Sequence, residues 1–281
     1  MRNTTVDVRP VSPYVGAEIH GVDLTRPLDD QTTGEIRQAL NEHGVIFFRD
    51  QTIGLAEHLA FSERFGKIDT SSFLVAPPGF PMIGEVRKEP DETRNIGGNW
   101  HSDHSFDAVP PLGSILVARE LPDCGGDTLF ANMSSAYDLL SDGLKKMLQG
   151  MRAVHAKKHA VDAYTSADRQ VSATEKAEVM QKFARNEAIH PVIKPHPETG
   201  RPVLFVNPTY TVRFEGWTAQ ESEPLLKVLY QYATRPEITC RFQWREGSIA
   251  FWDNRSVMHF ALNDYHGDRR LMHRITIEGT A

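Results

Sequence analysis

The sequence contains two short polar motifs that could together hold a metal ion. The first is Asn99–Asp103, which reads Asn-Trp-His-Ser-Asp, and the second ends at His259 in Trp-Asp-Asn-Arg-Ser-Val-Met-His. If residues 100–104 form a strand, the side chains of His101 and Asp103 point to the same face. Two imidazoles and one carboxylate on one side of an ion leave its opposite positions open, an arrangement typical of non-haem Fe(II) oxygenases.

The residues beside these motifs have predicted roles of their own. In a strand, His104 would face away from the two ligand candidates before it, so it is left out of the ligand set. Trp252 is predicted to pack in the core near the ion. Asp253 and Asn254 are predicted to form a turn or to orient His259 by hydrogen bonding.

Further segments of the chain, outside the two motifs, match the sequence pattern of a known protein family. Arg270 lies in an apolar, strand-like run downstream of the second motif, where it could bind a carboxylate through two parallel hydrogen bonds. The other segments are Gly21–Leu28, Gly125–Leu129, Leu204–Asn207 and Trp252–Arg255. With the two motifs, they make the chain similar to the taurine and 2,4-dichlorophenoxyacetate dioxygenase family of Fe(II)- and 2-oxoglutarate-dependent oxygenases. The resemblance extends from about Val8 to Gly279.

The resemblance assigns roles to five residues. It implies that His101, Asp103 and His259 bind Fe(II), and that Thr128 and Arg270 hold the distal carboxylate of 2-oxoglutarate. Iron with three protein ligands keeps adjacent positions for the keto acid and for O2. The expected reaction hydroxylates a substrate C–H bond while 2-oxoglutarate is converted to succinate and CO2. The aspartate also argues against halogenation, because related halogenases have a small residue there.

The predicted substrate pocket departs from that of the taurine-specific members. Those enzymes have a histidine and a tyrosine where this chain has Ser71 and Leu74, and they have polar residues where it reads Ile96-Gly97-Gly98. An ammonium-bearing sulfonate would therefore lose most of its polar partners in this chain.

The resemblance further implies that Arg274 reaches into the substrate pocket, where it could bind an anionic group. The loop 207–210 is similar to that of phenoxypropionate-type dioxygenases. We therefore expect a small anionic substrate with a hydrophobic body, either an aryloxyalkanoate, an alkyl sulfate or a sulfonate, in that order. The candidate substrate residues are Arg274, Leu74, Ile96, Tyr210 and Asn207, with Phe106 beside them.

Two alternatives remain open. The same cofactors could support desaturation or ring formation in the biosynthesis of a small metabolite, which only product analysis would distinguish. A non-catalytic jelly-roll protein that senses 2-oxoglutarate or a metal is an alternative from another class. The complete ligand set, with Thr128 and Arg270, argues against a sensor, because a sensor need not keep a position open for O2.

Short β-rich runs separated by turn residues predict a mainly β fold with flanking helices. Such spacing is typical of a sandwich or a barrel, and the resemblance specifies a double-stranded β-helix, or jelly roll. Gly44 and Gly66 are expected to end the first two helices, and Thr218–Glu221 is a capping box for the third. The predicted helices are 32–43, 55–65 and 218–233, and the predicted strands are 45–48, 114–118, 204–206, 239–243, 248–252 and 271–277.

We expect one domain over residues 1–281, since sandwiches and barrels of roughly 200–250 residues commonly form a single unit. The charged, helix-prone stretch 157–187 joins the two halves of the predicted barrel. It is either a lid that closes over substrate or a solvated helical insertion.

Composition narrows the expected partners and compartment. The chain has 31 Lys and Arg against 37 Asp and Glu, a formal net charge of −6, and no basic stripe that would bind nucleic acid. No apolar run is long enough to span a membrane, and residues 1–10 do not resemble a signal peptide. Cys124 and Cys240 do not indicate a disulfide framework. We expect a cytoplasmic enzyme, and the resemblance implies a homo-oligomer, either a dimer or a tetramer.

Overall fold

A computed structural model describes residues 4–70, 74–157 and 187–280. The predicted lid or insertion at 157–187 lies outside the described residues except at its two ends, and so does Ser71. In the described part of the chain, no helix is both long and apolar enough to cross a membrane. The described helices are α1 (Asp30–His43), α2 (Leu55–Glu63), α3 (Met133–Asp138), α4 (Asp142–Leu148) and α5 (Ala219–Ala233), and a 3-10 turn follows at Pro236–Ile238.

The strands form one large sheet and three small ones. They are β1 (Asp7–Pro10), β2 (Ala17–His20), β3 (Val45–Phe48), β4 (Gly84–Lys88), β5 (Gly113–Glu120), β6 (Thr128–Asn132), β7 (Arg152–Ala156), β8 (Glu187–Pro191), β9 (Ile193–Pro195), β10 (Pro202–Leu204), β11 (Thr211–Phe214), β12 (Thr239–Phe242), β13 (Ile249–Asp253), β14 (Val257–Ala261) and β15 (Arg270–Ile277). The seven-stranded sheet has the order β1-β2-β3-β13-β5-β15-β4, and the small sheets have the orders β12-β6-β14, β11-β7-β8 and β10-β9. Only β2 and β3 pair in parallel among the described strands.

One core lies between the seven-stranded sheet and the β12-β6-β14 sheet. Because side chains alternate between the two faces of a strand, Phe47 on β3 and Trp252 on β13 point inward from the large sheet. Phe130 on β6 and Phe242 on β12 meet them there. The rings of Phe47 and Phe242 stack with their centroids 4.0 Å apart. Burial of these aromatic side chains joins the two sheets into a sandwich.

Helices cover the outer faces of the sandwich. Phe251, next to Trp252 on β13, points to the opposite face of the large sheet. Its ring lies 4.9 Å from the ring of Phe65, just after α2. Helices α3, α4 and α5 pack in the same way against the small sheets and the segments between them. The predicted mainly β fold with flanking helices is therefore confirmed.

Local signals predicted the ends of two helices. At the start of α1, the side chain of Asp29 accepts a hydrogen bond from the Thr32 amide, and the amide of Gly44 donates back into the last turn. Gly44 has a φ of 73°, which glycine adopts without strain. The capping box at the start of α5 is also present, with reciprocal hydrogen bonds between Thr218 and Glu221.

Several predicted boundaries are wrong. The first helix begins at Asp30, two residues before its predicted start. The second helix ends at Glu63 and does not reach a cap at Gly66, because Phe65 leaves the helix to pack against Phe251. The strand predicted at 204–206 is shifted, since β10 ends at Leu204. An apolar run predicts burial more safely than it predicts conformation. The other five predicted strands differ from the structure only at their ends.

Buried histidines make the stability of the fold depend on pH. His58 on α2 is fully buried, and burial, aided by the charge of Arg119, lowers its pKa to about 3. Burial likewise lowers the pKa of His155 to about 3. Between that value and the unfolded-state pKa of about 6.5, the unfolded chain binds the protons and the folded chain does not, so acid favours unfolding.

We expect the free energy of unfolding to fall as the pH is lowered from about 6.5 towards about 4, by up to about 1.4 kcal/mol per pH unit for each such histidine. The variant His58→Leu should show a shallower dependence in urea denaturation across this range. His266 is exposed, and His266→Leu serves as the control that should keep the parent slope. An unchanged slope in His58→Leu would contradict a neutral His58 in the folded protein.

Candidate metal and co-substrate site

The two polar motifs meet through their main chains. His101 and His259 form an antiparallel bridge in which the amide of each donates to the carbonyl of the other, with N–O distances of 3.1 and 2.8 Å. His259 lies on β14, at the edge of the β12-β6-β14 sheet. Residues opposite each other in such a pair share a face, and the two imidazole centroids are 4.1 Å apart.

The strand considered for residues 100–104 as a condition for a shared face does not form. The chain turns at Asp103, where the main-chain amide donates to Asn254 Oδ1 at 3.3 Å, and His104 has a φ of 51°. The aspartate therefore reaches the imidazoles through a turn and not through the alternation of a strand. His104 stays out of the cluster of ligand atoms, as predicted, and its Nδ1 lies 3.3 Å from a carboxylate oxygen of Asp107.

Three side chains could hold a metal ion. Asp103 Oδ1 lies 3.5 Å from His101 Nε2 and 3.8 Å from His259 Nε2. One potential ligand atom from each residue lies within 4.8 Å of the other two, and all three residues are buried. Two imidazole nitrogens and one carboxylate form a donor set suited to Fe(II).

The protonation states of these residues also suit a metal. His101 Nδ1 lies 2.7 Å from the carbonyl oxygen of Asn99, so the hydrogen resides on Nδ1 and Nε2 offers its lone pair. Burial, with the nearby His101, lowers the pKa of His259 to about 3. Burial opposes ionisation of Asp103, but Arg274 and His259 hold the pKa of this carboxyl well below its ordinary value. Neutral imidazoles and an ionised carboxylate are the forms that bind metals.

The Asp103 carboxylate is held in place by Ser114 of the large sheet, and Asn254, in the turn after β13, supports Ser114. Ser114 on β5 donates from Oγ to Asp103 Oδ2 at 3.1 Å, and the Asn254 amide group contacts Ser114 Oγ at 3.4 Å. The indole of Trp252 donates to Asn254 Oδ1 at 2.8 Å. Asn254 lies in a turn, which is one of the two roles predicted for it, and its side chain supports Asp103 and not His259.

Asp253 belongs to a separate buried network. Its carboxylate accepts hydrogen bonds from His196 Nε2 at 3.0 Å and from Arg255 Nη2 at 2.6 Å. Burial would raise the pKa of Asp253, but Arg255 and His196 outweigh it and lower the pKa. Asp253 thus does not orient His259 either. The ring of Trp252 packs 4.6 Å from that of His259, as expected for a core residue beside the cluster.

In the part of the chain that the structure describes, the buried guanidinium of Arg270 on β15 has no ion-pair partner. Arg270 is 4% exposed, and its Nε and Nη2 have no hydrogen-bond partner among the described residues. Its Cζ lies 5.8 Å from the ring centre of Trp244 and 6.0 Å from that of Tyr265, and burial lowers its pKa. A buried cation with unpaired donors is unfavourable by itself. The arrangement therefore fits a bound carboxylate.

Thr128 and Arg270 share a neighbour, the indole of Trp244. Thr128 Oγ1 accepts a hydrogen bond from the indole of Trp244 at 3.0 Å, so its own hydroxyl hydrogen is available to a further acceptor. Gly126, with a φ of 70°, lets the chain pass close to Arg270, because a Cβ there would lie 3.1 Å from Arg270 Cδ. The structure thus brings together the two residues predicted to hold the distal carboxylate.

Two of the candidate substrate residues lie next to the ligand set. Arg274 Nη1 lies 3.4 Å from Asp103 Oδ1, and it shares a face of β15 with Arg270. The ring of Tyr210 lies 6.1 Å from that of His101 and 4.9 Å from that of Phe106. This corner therefore combines a cation with apolar ring surface.

The remaining candidates occupy different environments. Asn207 is buried, and its side chain donates to Ser105 Oγ at 2.9 Å and accepts from the Tyr210 amide at 2.8 Å. These bonds use the amide group to hold its own loop. Ile96 is 45% exposed and Leu74 is half-buried.

Sequence reasoning missed Ser114, Trp244 and Tyr265. Each contacts or lies beside a site residue on another strand, turn or loop. Ser114 falls in a predicted strand without any motif around it. No local signal marks these residues, because their role depends on which strands become neighbours.

A buried cluster of two histidines and one carboxylate inside a β-sandwich, with an unpaired arginine nearby, defines the class of 2-oxo-acid-dependent iron oxygenases. The comparisons with known proteins agree. The model for the family described as "Taurine catabolism dioxygenase TauD, TfdA family" matches residues 7–276. The chain belongs to this family, and it is an α-ketoglutarate-dependent dioxygenase with a jelly-roll fold that uses Fe(II), 2-oxoglutarate and O2.

Three similar proteins illustrate the relationship. The chain is 36% identical over 278 residues to the alkylsulfatase of Acinetobacter baylyi, covering 98% of this chain and 85% of that protein. It is 34% identical over 279 residues to the α-ketoglutarate-dependent sulfate ester dioxygenase of Pseudomonas putida, covering 98% and 90%. The crystal structure of a taurine dioxygenase from Burkholderia xenovorans matches with a TM-score of 0.80 at 35% identity, covering 98% of this chain and 90% of that one.

Loss of the Ser114 hydroxyl should weaken metal binding, because one donor that orients the Asp103 carboxylate is removed. We expect Ser114→Ala to bind Mn(II) about tenfold to a hundredfold more weakly than the parent, measured by calorimetric titration of the apoprotein. Ser222 on α5 is equally buried and hydrogen-bonded, so Ser222→Ala controls for loss of a buried hydroxyl and should keep the parent affinity. Equal affinities in all three proteins would rule out an orienting role for Ser114.

Proposed function

We propose that His101, Asp103 and His259 hold Fe(II) in this dioxygenase, and that Arg270 and Thr128 bind the distal carboxylate of 2-oxoglutarate. The observation that carries the proposal is the buried Arg270 guanidinium, whose Nε and Nη2 lack partners among the described residues. Bound iron and 2-oxoglutarate supply the oxidising chemistry, by which O2 hydroxylates a substrate C–H bond and 2-oxoglutarate becomes succinate and CO2.

The protein contributes orientation and a dry surrounding to this chemistry. Ser114 and Asn254 keep the Asp103 carboxylate in one orientation, and the Asn99 carbonyl selects the tautomer of His101. The indole of Trp252 packs against His259. Fixed ligands in a buried cluster hold the reacting groups in one geometry and limit side reactions with water.

An alkyl sulfate ester is the substrate class that we favour. Arg274 offers a guanidinium beside the ligand set for the anionic sulfate group, and Tyr210 and Phe106 offer apolar surface to an alkyl chain. We assign Leu74 and Ile96 to the outer part of the same pocket. The similarity to relatives named alkylsulfatase and sulfate ester dioxygenase moves the alkyl sulfate ahead of the aryloxyalkanoate that the sequence placed first.

The reaction on such an ester would cleave it. Hydroxylation of the carbon that bears the ester oxygen gives a product with two oxygens on that carbon. Its C–O bond to sulfate then breaks, the bonding electrons leave with sulfate, and the hydroxyl proton passes to water as an aldehyde forms. Desaturation or ring formation would leave the sulfate ester intact, so sulfate release separates these alternatives. A non-catalytic sensor is not retained, because the family is one of dioxygenases.

The remaining parts of the proposal concern Asn207 and the organisation of the whole protein. We assign Asn207 to holding the loop that carries Tyr210, since both ends of its side-chain amide are already hydrogen-bonded. We propose a single domain over 1–281 that acts as a homo-oligomer in the cytoplasm, with no nucleic-acid partner. The free cysteines Cys124 and Cys240 are consistent with a reducing compartment.

Replacement of Arg270 tests the co-substrate assignment. Arg270→Gln should raise the KM for 2-oxoglutarate at least thirtyfold, because removal of one partner of a buried charge pair costs about 2 kcal/mol or more. Arg269 is its half-buried neighbour and pairs with Glu89 and Glu120, so Arg269→Gln is the matched control and should keep the parent KM. An unchanged KM in Arg270→Gln would remove this residue from the co-substrate site.

Product analysis tests the substrate class. With hexyl sulfate, we expect hexanal, sulfate and succinate in equal amounts, measured by mass spectrometry and ion chromatography. Arg274→Met should lower kcat/KM for hexyl sulfate about tenfold or more, because an anion loses its guanidinium partner. Phenol release from a phenoxyalkanoate, or sulfite release from an alkylsulfonate, without any sulfate release from hexyl sulfate would replace the proposed substrate.

A further inference from the structure

A second buried cation lies close to Arg270. Lys88, the last residue of β4, is 1% exposed. Its Nζ lies 3.4 Å from the carbonyl oxygen of Tyr265 and 4.7 Å from the centre of the Tyr265 ring. The acidic residues nearest to it in sequence, Glu85 and Glu89, pair with Arg87 instead. In the described part of the chain, the Lys88 ammonium therefore has a carbonyl oxygen and an aromatic ring as neighbours, but no ion pair.

The strand register brings this ammonium to the co-substrate site. Lys88 on β4 stands directly opposite Arg270 on β15, and opposite residues of an antiparallel pair project to the same face. The same Tyr265 ring lies 4.7 Å from Lys88 Nζ and 6.0 Å from Arg270 Cζ. Two buried cations thus share one face and one aromatic neighbour.

This arrangement is unfavourable until an anion is present. Like charges in a dry interior repel each other, and each has lost its water. The carboxylate of Asp127 acts on Arg270, but it is already paired with Arg241 at 2.6 Å. A dicarboxylate whose far end enters this region would relieve both charges, whereas a 2-oxo acid with an uncharged end would relieve neither.

We propose that Lys88 is a positioning residue for the co-substrate, and that its charge, held against Tyr265 beside Arg270, makes the site select a 2-oxo acid with a distal carboxylate. The inference rests on the proposed role of Arg270. Lys88 acts through the electrostatic potential of the pocket and through Tyr265, and it is not assigned a direct contact with the keto acid. The charge of Lys88 can act on the distal carboxylate without direct contact, because the medium between them is protein and not water.

The test compares two ligands that differ only at the distal end. Mn(II)-loaded protein is titrated calorimetrically with 2-oxoglutarate and with 2-oxopentanoate, which has a methyl group in place of the distal carboxylate. We expect Lys88→Met to weaken 2-oxoglutarate binding about tenfold and to leave 2-oxopentanoate binding unchanged. The ligand-free variant should melt at or above the temperature of the parent, because an apolar side chain replaces a buried unpaired charge.

A matched control comes from another lysine with the same two kinds of neighbour. Lys145 Nζ donates to the carbonyl oxygen of Asp138 at 3.1 Å and lies 5.1 Å from the ring centre of Tyr137. Lys145→Met should bind both ligands as the parent does. Equal weakening of the binding of both ligands in Lys88→Met would make Lys88 a structural residue. Unchanged binding of both ligands would show that the charge of Lys88 does not affect co-substrate binding. Either result overturns the inference.

A further variant separates this inference from the proposed function. If Arg270→Gln weakens binding of 2-oxoglutarate and Lys88→Met does not, the inference fails while the co-substrate site stands. If Arg270→Gln binds 2-oxoglutarate as tightly as the parent, the co-substrate site itself is misassigned and the inference fails with it.

Discussion

The main-chain bridge between His101 and His259 is the contact on which the rest of the site depends. Two hydrogen bonds join segments that are far apart in the sequence, and the two imidazoles become neighbours because opposite residues share a face. Through the bridge, the segment that carries His101 pairs with β14. Strand β14 also pairs with β6, where Ala261 stands opposite Thr128. The two histidines and one co-substrate candidate, Thr128, therefore lie on adjoining segments of the same small sheet.

The large sheet carries positively charged side chains that face the three metal-ligand candidates. Arg270 and Arg274 point from β15 to the same side, and Lys88 stands beside Arg270 on β4. Ser114 on β5 reaches the Asp103 carboxylate. Positive groups on one sheet thus meet a carboxylate and two imidazoles next to the other. Because burial penalises every unpaired charge, the space between the sheets favours anionic molecules. A dicarboxylate co-substrate and an anionic substrate fit this electrostatic requirement.

Much of the site could be predicted from the sequence, because binding of a metal or a carboxylate requires particular types of side chain. The His-Ser-Asp triplet and the distant His259 indicate the class of metal. The resemblance to the dioxygenase family then implies the co-substrate and the role of Arg270. Caps at Gly44 and Thr218 were also predictable, since a cap is made by residues close in sequence. The turn at Asp103 was not predictable, because the amide of Asp103 donates to Asn254, a residue of the other motif.

The sequence by itself determined which side chains could bind a metal and a dicarboxylate, and that the fold is mainly β. Only the tertiary structure decided which residue orients which: Asn254 holds Asp103 and not His259, Trp244 joins Thr128 to Arg270, and Tyr265 joins Lys88 to Arg270. The reason is physical. Hydrogen bonds and contacts between buried charges act over a few ångströms, and those separations are fixed by strand register and by packing of the whole core, which no local stretch of sequence specifies.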